Sequence, residues 1–103
     1  MEDRLKVAVI IAAMNASATI ARAIISALAD RNVREVIVVD DASSDDTAAV
    51  ARAADDGSNR LTVLVQPANA GPAAARNRAI DASSSPLICL LYTSPSPRDR
   101  QKS

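Results

Sequence analysis

The sequence of 103 residues contains no histidine, phenylalanine or tryptophan, and it has one tyrosine and one cysteine. Without histidine, no imidazole in this chain can act as the base of a catalytic site. The single Cys89 cannot form an internal disulfide. We expect it to be a small buried side chain in a reduced, cytoplasmic setting.

Long apolar runs and strongly charged faces are also missing. No stretch approaches the ~18 apolar residues that a membrane-spanning helix needs, so we expect no membrane segment in this chain. The 12 basic and 12 acidic residues balance. The sequence has no basic face with interleaved aromatic residues, so we expect no nucleic-acid partner. Hydrophobic residues still make up 49% of the chain, which is enough to bury a core of Val, Ile, Leu and Ala.

Glycine is nearly absent, with two residues in the whole chain. The turn after the first predicted strand reads A-A-M-N-A-S, which excludes the glycine-rich turn of a dinucleotide-binding oxidoreductase. The sequence has no G-x-x-x-x-G-K pattern, which excludes a Walker-type phosphate loop. A phosphate-accepting receiver domain would need an acidic pair after the first strand, whereas the pair in this chain follows the second.

Four short apolar runs rich in branched residues are typical of strands covered on both faces: residues 7–11, 36–39, 61–65 and 87–91. Helical patterns lie between them, at residues 19–29, 43–54 and 72–82. The alternation predicts the α/β class, as a Rossmann-like parallel sheet of about four strands with alternating helices. We expect the first and fourth strands to be neighbours at a switch point.

The starts of the three helices carry recognisable signals. Ser17 is predicted to cap the first helix. Ser43 and Asp46 have the spacing of a capping box, which predicts that the second helix begins near Ser43. Gly71 and Pro72 predict the start of the third helix, with proline in its first position.

The sequence changes character after residue 91. Residues 92–103 have no apolar period and contain two prolines, which favours a disordered tail. We therefore predict a folded part at residues 1–91 and an unrelated tail at 92–103. The segment L-Y-T-S-P-S-P-R-D-R-Q-K-S also resembles translated library-adapter sequence, so we expect an interrupted reading frame here.

Asp40 and Asp41 stand side by side at the end of the second predicted strand. Two adjacent carboxylates repel each other, so the pair costs stability unless a donor, a cation or a helix N-terminus compensates. One interpretation is a solvated turn that begins the next helix. The other is a ligand contact, because ligands of open parallel sheets bind outside the carboxyl ends of the strands. A carboxylate there can accept a hydrogen bond from the N3–H of uracil or from ribose hydroxyls.

Two further segments follow neighbouring strands. The three segments read V-I-I-A-A-M-N at 9–15, V-D-D-A-S-S-D-D-T at 39–47 and N-A-G-P-A-A-A-R-N at 69–77. Together they resemble the family 2 glycosyltransferases, over about residues 6–91. The resemblance implies that residues 1–91 are the N-terminal, nucleotide-sugar-binding half of a GT-A fold. It also implies transfer of a sugar from a nucleotide-diphosphate donor, expected to be a UDP-sugar, to an acceptor hydroxyl with inversion.

The resemblance implies roles for individual residues. Asp41 corresponds to the aspartate that hydrogen-bonds the nucleobase, and Asp40 supports that loop or the ribose. Ala12 and Met14 correspond to residues that line the base pocket. Arg76 corresponds to a basic residue near the nucleoside; the alternative for it is a solvated position on the third helix. The nucleotide site implied in this way comprises Ala12, Met14, Asn15, Asp40, Asp41, Asn69, Gly71 and Arg76.

The sequence departs from the family's pattern in two places. Met14 stands where the family commonly has a tyrosine, whose stacking on a base contributes on the order of 1–3 kcal/mol. After the fourth strand, the family has an Asp-x-Asp motif that binds Mg²⁺ or Mn²⁺. Tyr92, Thr93 and Ser94 take that place here, and they are not ligands for a hard divalent cation. We expect the cation in a full-length family member, with its ligands absent from this chain.

Two functional readings follow from this comparison. In the first, the chain is truncated before the metal motif and inactive alone, because the family's catalytic base lies in the second half; no catalytic residue is predicted here. In the second, it is a non-catalytic nucleotide-binding or inert α/β fragment. For the first reading we expect a cytoplasmic location, at the membrane face in a full-length parent.

Overall fold

The computed structural model describes residues 7–68, 70–83 and 87–93, with side chains described for 7–68, 70–71 and 73–83. Strands and helices alternate in this part of the chain, which confirms the predicted order. The elements are β1 (Val7–Ala13), α1 (Ile20–Leu28), β2 (Val33–Asp40), α2 (Thr47–Ala53), β3 (Leu61–Val65), α3 (Pro72–Ala82) and β4 (Leu87–Thr93).

The strands form one parallel sheet in the order β3-β2-β1-β4. The first and fourth strands are neighbours, as the sequence predicts. The chain moves outward from β1 to β3 and then crosses to the other side of β1. Because crossovers between parallel strands are right-handed, this reversal puts α3 on the face opposite α1 and α2. A Rossmann-like, partial GT-A arrangement results.

Both faces of the sheet are apolar because side chains alternate along each strand and helices cover both sides. On the α1 and α2 face, Ile11 and Val38 are completely buried against Ile20 and Ile24. On the other face, the fully buried side chains of α3 are alanines, and Ile80 packs against them half-buried. That cluster consists of Ile10, Ala12, Ile37, Val39, Ala75 and Ala79. The alanines let α3 lie close to the sheet, so a core without Phe or Trp is filled by branched side chains and close approach.

The predicted cap of the first helix and the predicted start of the second helix are wrong. The residue that precedes α1 is Thr19 rather than Ser17, and the backbone N–H of Ser17 donates to Asp45 instead. The second helix begins at Thr47, four residues later than predicted from Ser43. Ser43 does not begin the helix because its backbone N–H and its hydroxyl both donate to Asp40. The predicted start of the third helix, with Pro72 in the first position, is confirmed.

The fourth strand is longer than predicted. It pairs with β1 through Tyr92 and Thr93, opposite Ala12 and Ala13. Backbone hydrogen bonding to β1 therefore includes the first two residues assigned above to the tail, and residues 94–103 lie outside the described part. The side chain of Cys89 and residue Asn69 also lie outside it. Among the described residues, no helix combines the length and the apolar character needed to cross a bilayer.

Candidate functional site

The ends of β1 and β2 lie level with each other, since Ala13 pairs with Asp40 in the sheet register. The loops that leave these ends, together with the segment that leads into α3, form one surface, called here the carboxyl edge. Backbone bonds extend the sheet into it, from Asp41 N–H to the carbonyl of Ala13 at 2.9 Å and from Gln66 N–H to the carbonyl of Asp40 at 2.8 Å. Parallel strands bring these segments together from distant parts of the sequence.

Asp40 faces its own loop. Its side chain is 3% exposed, and one carboxylate oxygen, Oδ1, accepts hydrogen bonds from the backbone N–H of Ser43, at 3.0 Å, and from the Ser43 hydroxyl. The same hydroxyl oxygen accepts the N–H of Asn15 at 2.7 Å. Asp40 therefore holds the β2–α2 loop in shape and orients the hydroxyl that binds the loop after β1.

Asn15 completes a reciprocal connection between the two loops. Its side-chain oxygen accepts the backbone N–H of Ser44 at 2.8 Å and the Ser44 hydroxyl at 3.1 Å. Asn15 has a positive φ of 49°, a conformation that asparagine tolerates better than most residues. Ala42, on the other loop, has a positive φ of 58° although it is neither an asparagine nor a glycine.

Asp41 reaches in a different direction, toward α3. It is 4% exposed, and its two carboxylate oxygens accept the backbone N–H groups of Ala70 and Gly71, both at 3.0 Å. These groups precede the first residue of α3, where free N–H groups and the helix dipole favour a negative charge. Pro72 has no N–H, so the carboxylate is bound by the two donors that immediately precede the helix.

Thr47 and Asp45 connect the starts of α1 and α2. Thr47 is completely buried, and its hydroxyl accepts the N–H of Ala16 at 2.9 Å while it donates to Asp45. Asp45 also accepts the N–H of Thr47 at 3.0 Å and that of Ser17 at 3.2 Å. The hydrogen bond from the Thr47 hydroxyl is the main cause that lowers the pKa of Asp45 from 3.8 to about 2. Asp45 is therefore ionised throughout the physiological range.

The family profile described as Glycosyl transferase family 2 matches residues 8–91, which is most of the chain and includes every described part of the carboxyl edge. The chain belongs to glycosyltransferase family 2. No curated protein sequence matches it. Members of the family use nucleotide-sugar donors and generally a divalent metal, and the level carboxyl ends of β1 and β2 are where an open α/β sheet binds such ligands.

Within this glycosyltransferase fold, Asn15, Asp40, Asp41 and Gly71 are joined through the hydrogen bonds of the carboxyl edge. Three other residues implied by the resemblance lie on β1, just beyond it and on α3. Ala12 is buried in the cluster beneath α3, and Met14 is half-buried just beyond the end of β1. Arg76 is half-buried on α3. Their contacts with a nucleotide stay predictions.

Sequence reasoning missed several contributors to the glycosyltransferase's carboxyl edge, among them Ser43, Ala70 and Thr47. The D-x-x-S spacing from Asp40 to Ser43 is a local turn signal and was available. The two others had no local signal. Ala70 contributes only its backbone N–H, and Thr47 meets Ala16 across 31 positions of sequence. Only the register of the sheet brings these partners together.

The divalent cation that the family generally uses does not fit the residues described. Among the residues whose side chains the structure describes, no three or more His, Cys, Asp or Glu are grouped so as to hold a metal ion. The buried carboxylates of Asp40 and Asp41 instead accept N–H and O–H groups of the protein itself. Carboxylates already bound to protein donors in this way are poor ligands for a hard cation, which prefers several free oxygens.

Proposed function

We propose that this chain is the nucleotide-binding part of a family 2 glycosyltransferase domain that takes a UDP-sugar as donor. In the full domain, the sugar passes to an acceptor hydroxyl with inversion. The part played by this chain is to hold the uracil and ribose at the carboxyl edge. A cytoplasmic location, at the membrane face in a full-length parent, belongs to the same proposal.

One observation carries this proposal: the buried, hydrogen-bonded carboxylate of Asp41 lies at the carboxyl edge of a sheet whose sequence matches the family. A carboxylate offers roughly four lone-pair positions, and two are used by Ala70 and Gly71. The remaining positions can accept the N3–H of uracil. Because the side chain is already held in one geometry, binding costs little of its conformational entropy.

With Met14 in place of a tyrosine, we expect the pocket to bind the base more weakly than in typical family members. The thioether of Met14 packs against a ring but lacks the flat face with which a tyrosine stacks. We therefore expect weak binding of uridine nucleotides by this chain. Substitution of Met14 by Tyr should tighten binding of UDP by about tenfold, because methionine already supplies part of the roughly 1–3 kcal/mol that base–aromatic stacking contributes.

No catalytic step is assigned to this chain. The residues that the structure describes do not fit the family's cation, and no histidine is present to act as a base. We expect UDP binding without sugar transfer. A turnover assay with UDP-sugars and Mn²⁺ checks this, and reproducible transfer by the purified chain contradicts it.

The alternative is an inert α/β fragment, and one observation favours it. Both oxygens of Asp41 already have partners, and the residue is 4% exposed, so the aspartate can be explained by the structure alone. The same contacts fit both interpretations. In the first, Asp41 is held in place and still accepts a hydrogen bond from the base; in the second, the protein's own donors use its acceptor positions. Binding measurements separate the two.

Calorimetric titration with UDP and CDP provides the test. Uracil presents N3–H as a donor, whereas N3 of cytosine is an acceptor and is repelled by a carboxylate. We expect UDP to bind more tightly than CDP, and the preference to disappear in Asp41→Asn. Asp46→Asn is the matched control, because Asp46 is exposed and makes no side-chain cap hydrogen bond. If neither nucleotide binds, the inert-fragment reading is correct.

A further inference from the structure

The segment between β3 and α3 is held at both ends by side chains from elsewhere. At its beginning, the guanidinium of Arg78 on α3 donates to the carbonyl of Val65 at 3.0 Å and to the side-chain oxygen of Gln66 at 2.7 Å. At its end, the N–H groups of Ala70 and Gly71 donate to Asp41. The first attachment is exposed, whereas the second is made to a buried carboxylate.

The two attachments constrain different things. Arg78 belongs to α3 itself, so its bonds fix the helix relative to the end of β3. Asp41 belongs to β2, and its bonds cross 29 and 30 positions of sequence. They determine how the chain approaches the first turn of α3 and how close that turn lies to the end of β2.

Gly71 has the backbone conformation that this approach requires. Its φ of 92° and ψ of 162° lie in a region that residues other than glycine rarely adopt. Nothing lies within 4 Å of the position that a Cβ would occupy, so crowding does not explain the glycine. The backbone turn that presents two successive N–H groups to one carboxylate explains it.

We infer that Asp41 is a positioning residue. Its carboxylate sets the entry into α3 and, through this helix, the place of Arg76, which lies just over one turn from Pro72. A base contact and the placement of Arg76 then depend on the same carboxylate, so binding and loop order are coupled. Only the consequence for nucleotide binding rests on the proposed function; the hold on the segment does not.

The direct test uses the nucleotide-free 103-residue chain, labelled with ¹⁵N and ¹³C, in solution. Scalar couplings across hydrogen bonds are expected from the amide nitrogens of Ala70 and Gly71 to the carboxyl carbon of Asp41. Couplings between neighbouring strands provide the positive control. Their detection without any signal to Asp41 overturns the inference.

Amide exchange supplies the second readout. In Asp41→Ala, exchange at Ala70 and Gly71 should rise about tenfold or more, because two bonds to a charged group are lost. Gln66, whose N–H is bonded to the backbone of Asp40, should change little. Asp46→Ala makes the same change of charge and composition at an exposed residue and should leave both amides as in the unaltered chain. Equal exchange in the two variants contradicts the inference.

Asp41→Asn keeps one oxygen acceptor and is expected to fall between the unaltered chain and Asp41→Ala. It also decides the question if Asp41→Ala does not fold. Arg76→Ala should then weaken UDP binding less in the Asp41→Asn background than alone; additive effects on binding overturn the link to Arg76. Failure of UDP to bind, with the couplings to Asp41 present, rejects the proposed function and leaves the positioning role established.

Discussion

The two edges of the sheet are held together by opposite kinds of side chain. At the carboxyl edge, Asp41 and Asp45 accept backbone N–H groups that belong to other loops. At the opposite, amino edge, the guanidinium of Arg60 donates to backbone carbonyls. Its bonds to Leu28 and Val33 measure 2.6 and 2.8 Å, and a weaker one to Asp30 measures 3.3 Å.

Peptide direction explains this difference. In a parallel α/β sheet, each helix begins near the carboxyl ends of the strands and ends near their amino ends. Helix starts leave N–H groups without partners, and helix ends leave carbonyls without partners. Acceptors with negative charge therefore stabilise the first edge, and a cation stabilises the second. The adjacent Asp40 and Asp41 thus stabilise the loops of the carboxyl edge even without a ligand.

The largest effect is expected for Thr47→Val at the carboxyl edge. The change preserves shape but leaves the N–H of Ala16 without its acceptor in a buried place. An unsatisfied buried donor costs about 1–3 kcal/mol, so the free energy of unfolding in urea should fall by that amount. Thr62→Val, at an exposed position of β3, is the control and should change little. If both variants lose the same free energy of unfolding, the hydrogen bond from Ala16 to Thr47 does not stabilise the carboxyl edge.

Arg60→Met tests the amino edge. The substitution retains an apolar stem but removes the donors to Leu28 and Val33. We expect a loss of about 1–2 kcal/mol in unfolding free energy, smaller than for Thr47 because the Arg60 side chain is 24% exposed and water can replace it. Arg34→Met, at an exposed position of β2, is the matched control. If the control is equally destabilising, the carbonyl bonds of Arg60 are not what matters.

Ala42→Gly, at the carboxyl edge, is expected to raise the free energy of unfolding. Ala42 has a φ of 58°, which costs an alanine about 1–2 kcal/mol relative to ordinary conformations, and glycine avoids most of that cost. Glycine also gains entropy in the unfolded chain, so a net increase of about 1 kcal/mol or less in unfolding free energy is expected. Ala49→Gly, in the middle of α2, should have the opposite sign. Thermal unfolding measures both.

The smallest effect concerns the charge of Asp45. Its pKa is lowered in the folded chain from 3.8 to about 2, so its carboxylate adds stability that is fully present above pH 3.8. That contribution is lost as the pH falls through 3.8 toward about 2. The stability difference between the unaltered chain and Asp45→Asn should shrink across this window. A difference that is constant with pH rejects the assigned cause.

The fold was largely predictable from local patterns. Continuous branched runs predicted the strands, and their alternation with helices predicted a parallel sheet with β1 beside β4. Pro72 marked the start of α3 because its ring favours that position in any context. The start of α2 was predicted wrongly, because Ser43 had two possible partners and Asp40 competed with the helix for its backbone and hydroxyl.

The candidate site was predictable only in part. The family resemblance selected Asn15, Asp40, Asp41 and Gly71, and these residues do meet at the carboxyl edge. It did not indicate that Asp41 binds the entry of α3. Backbone donors such as the N–H of Ala70 have no signature in a sequence, since every residue except proline carries one.

The sequence by itself determined which runs are buried, how strands and helices alternate and which edge of the sheet carries the acids. These properties depend on hydrophobic period and chain direction, which are local. Only the tertiary structure decided the partners of Asp41, Thr47 and Arg60, because each of them bonds to backbone atoms 27 or more positions away. Such pairings depend on strand register, which is determined when the whole sheet packs beneath its helices.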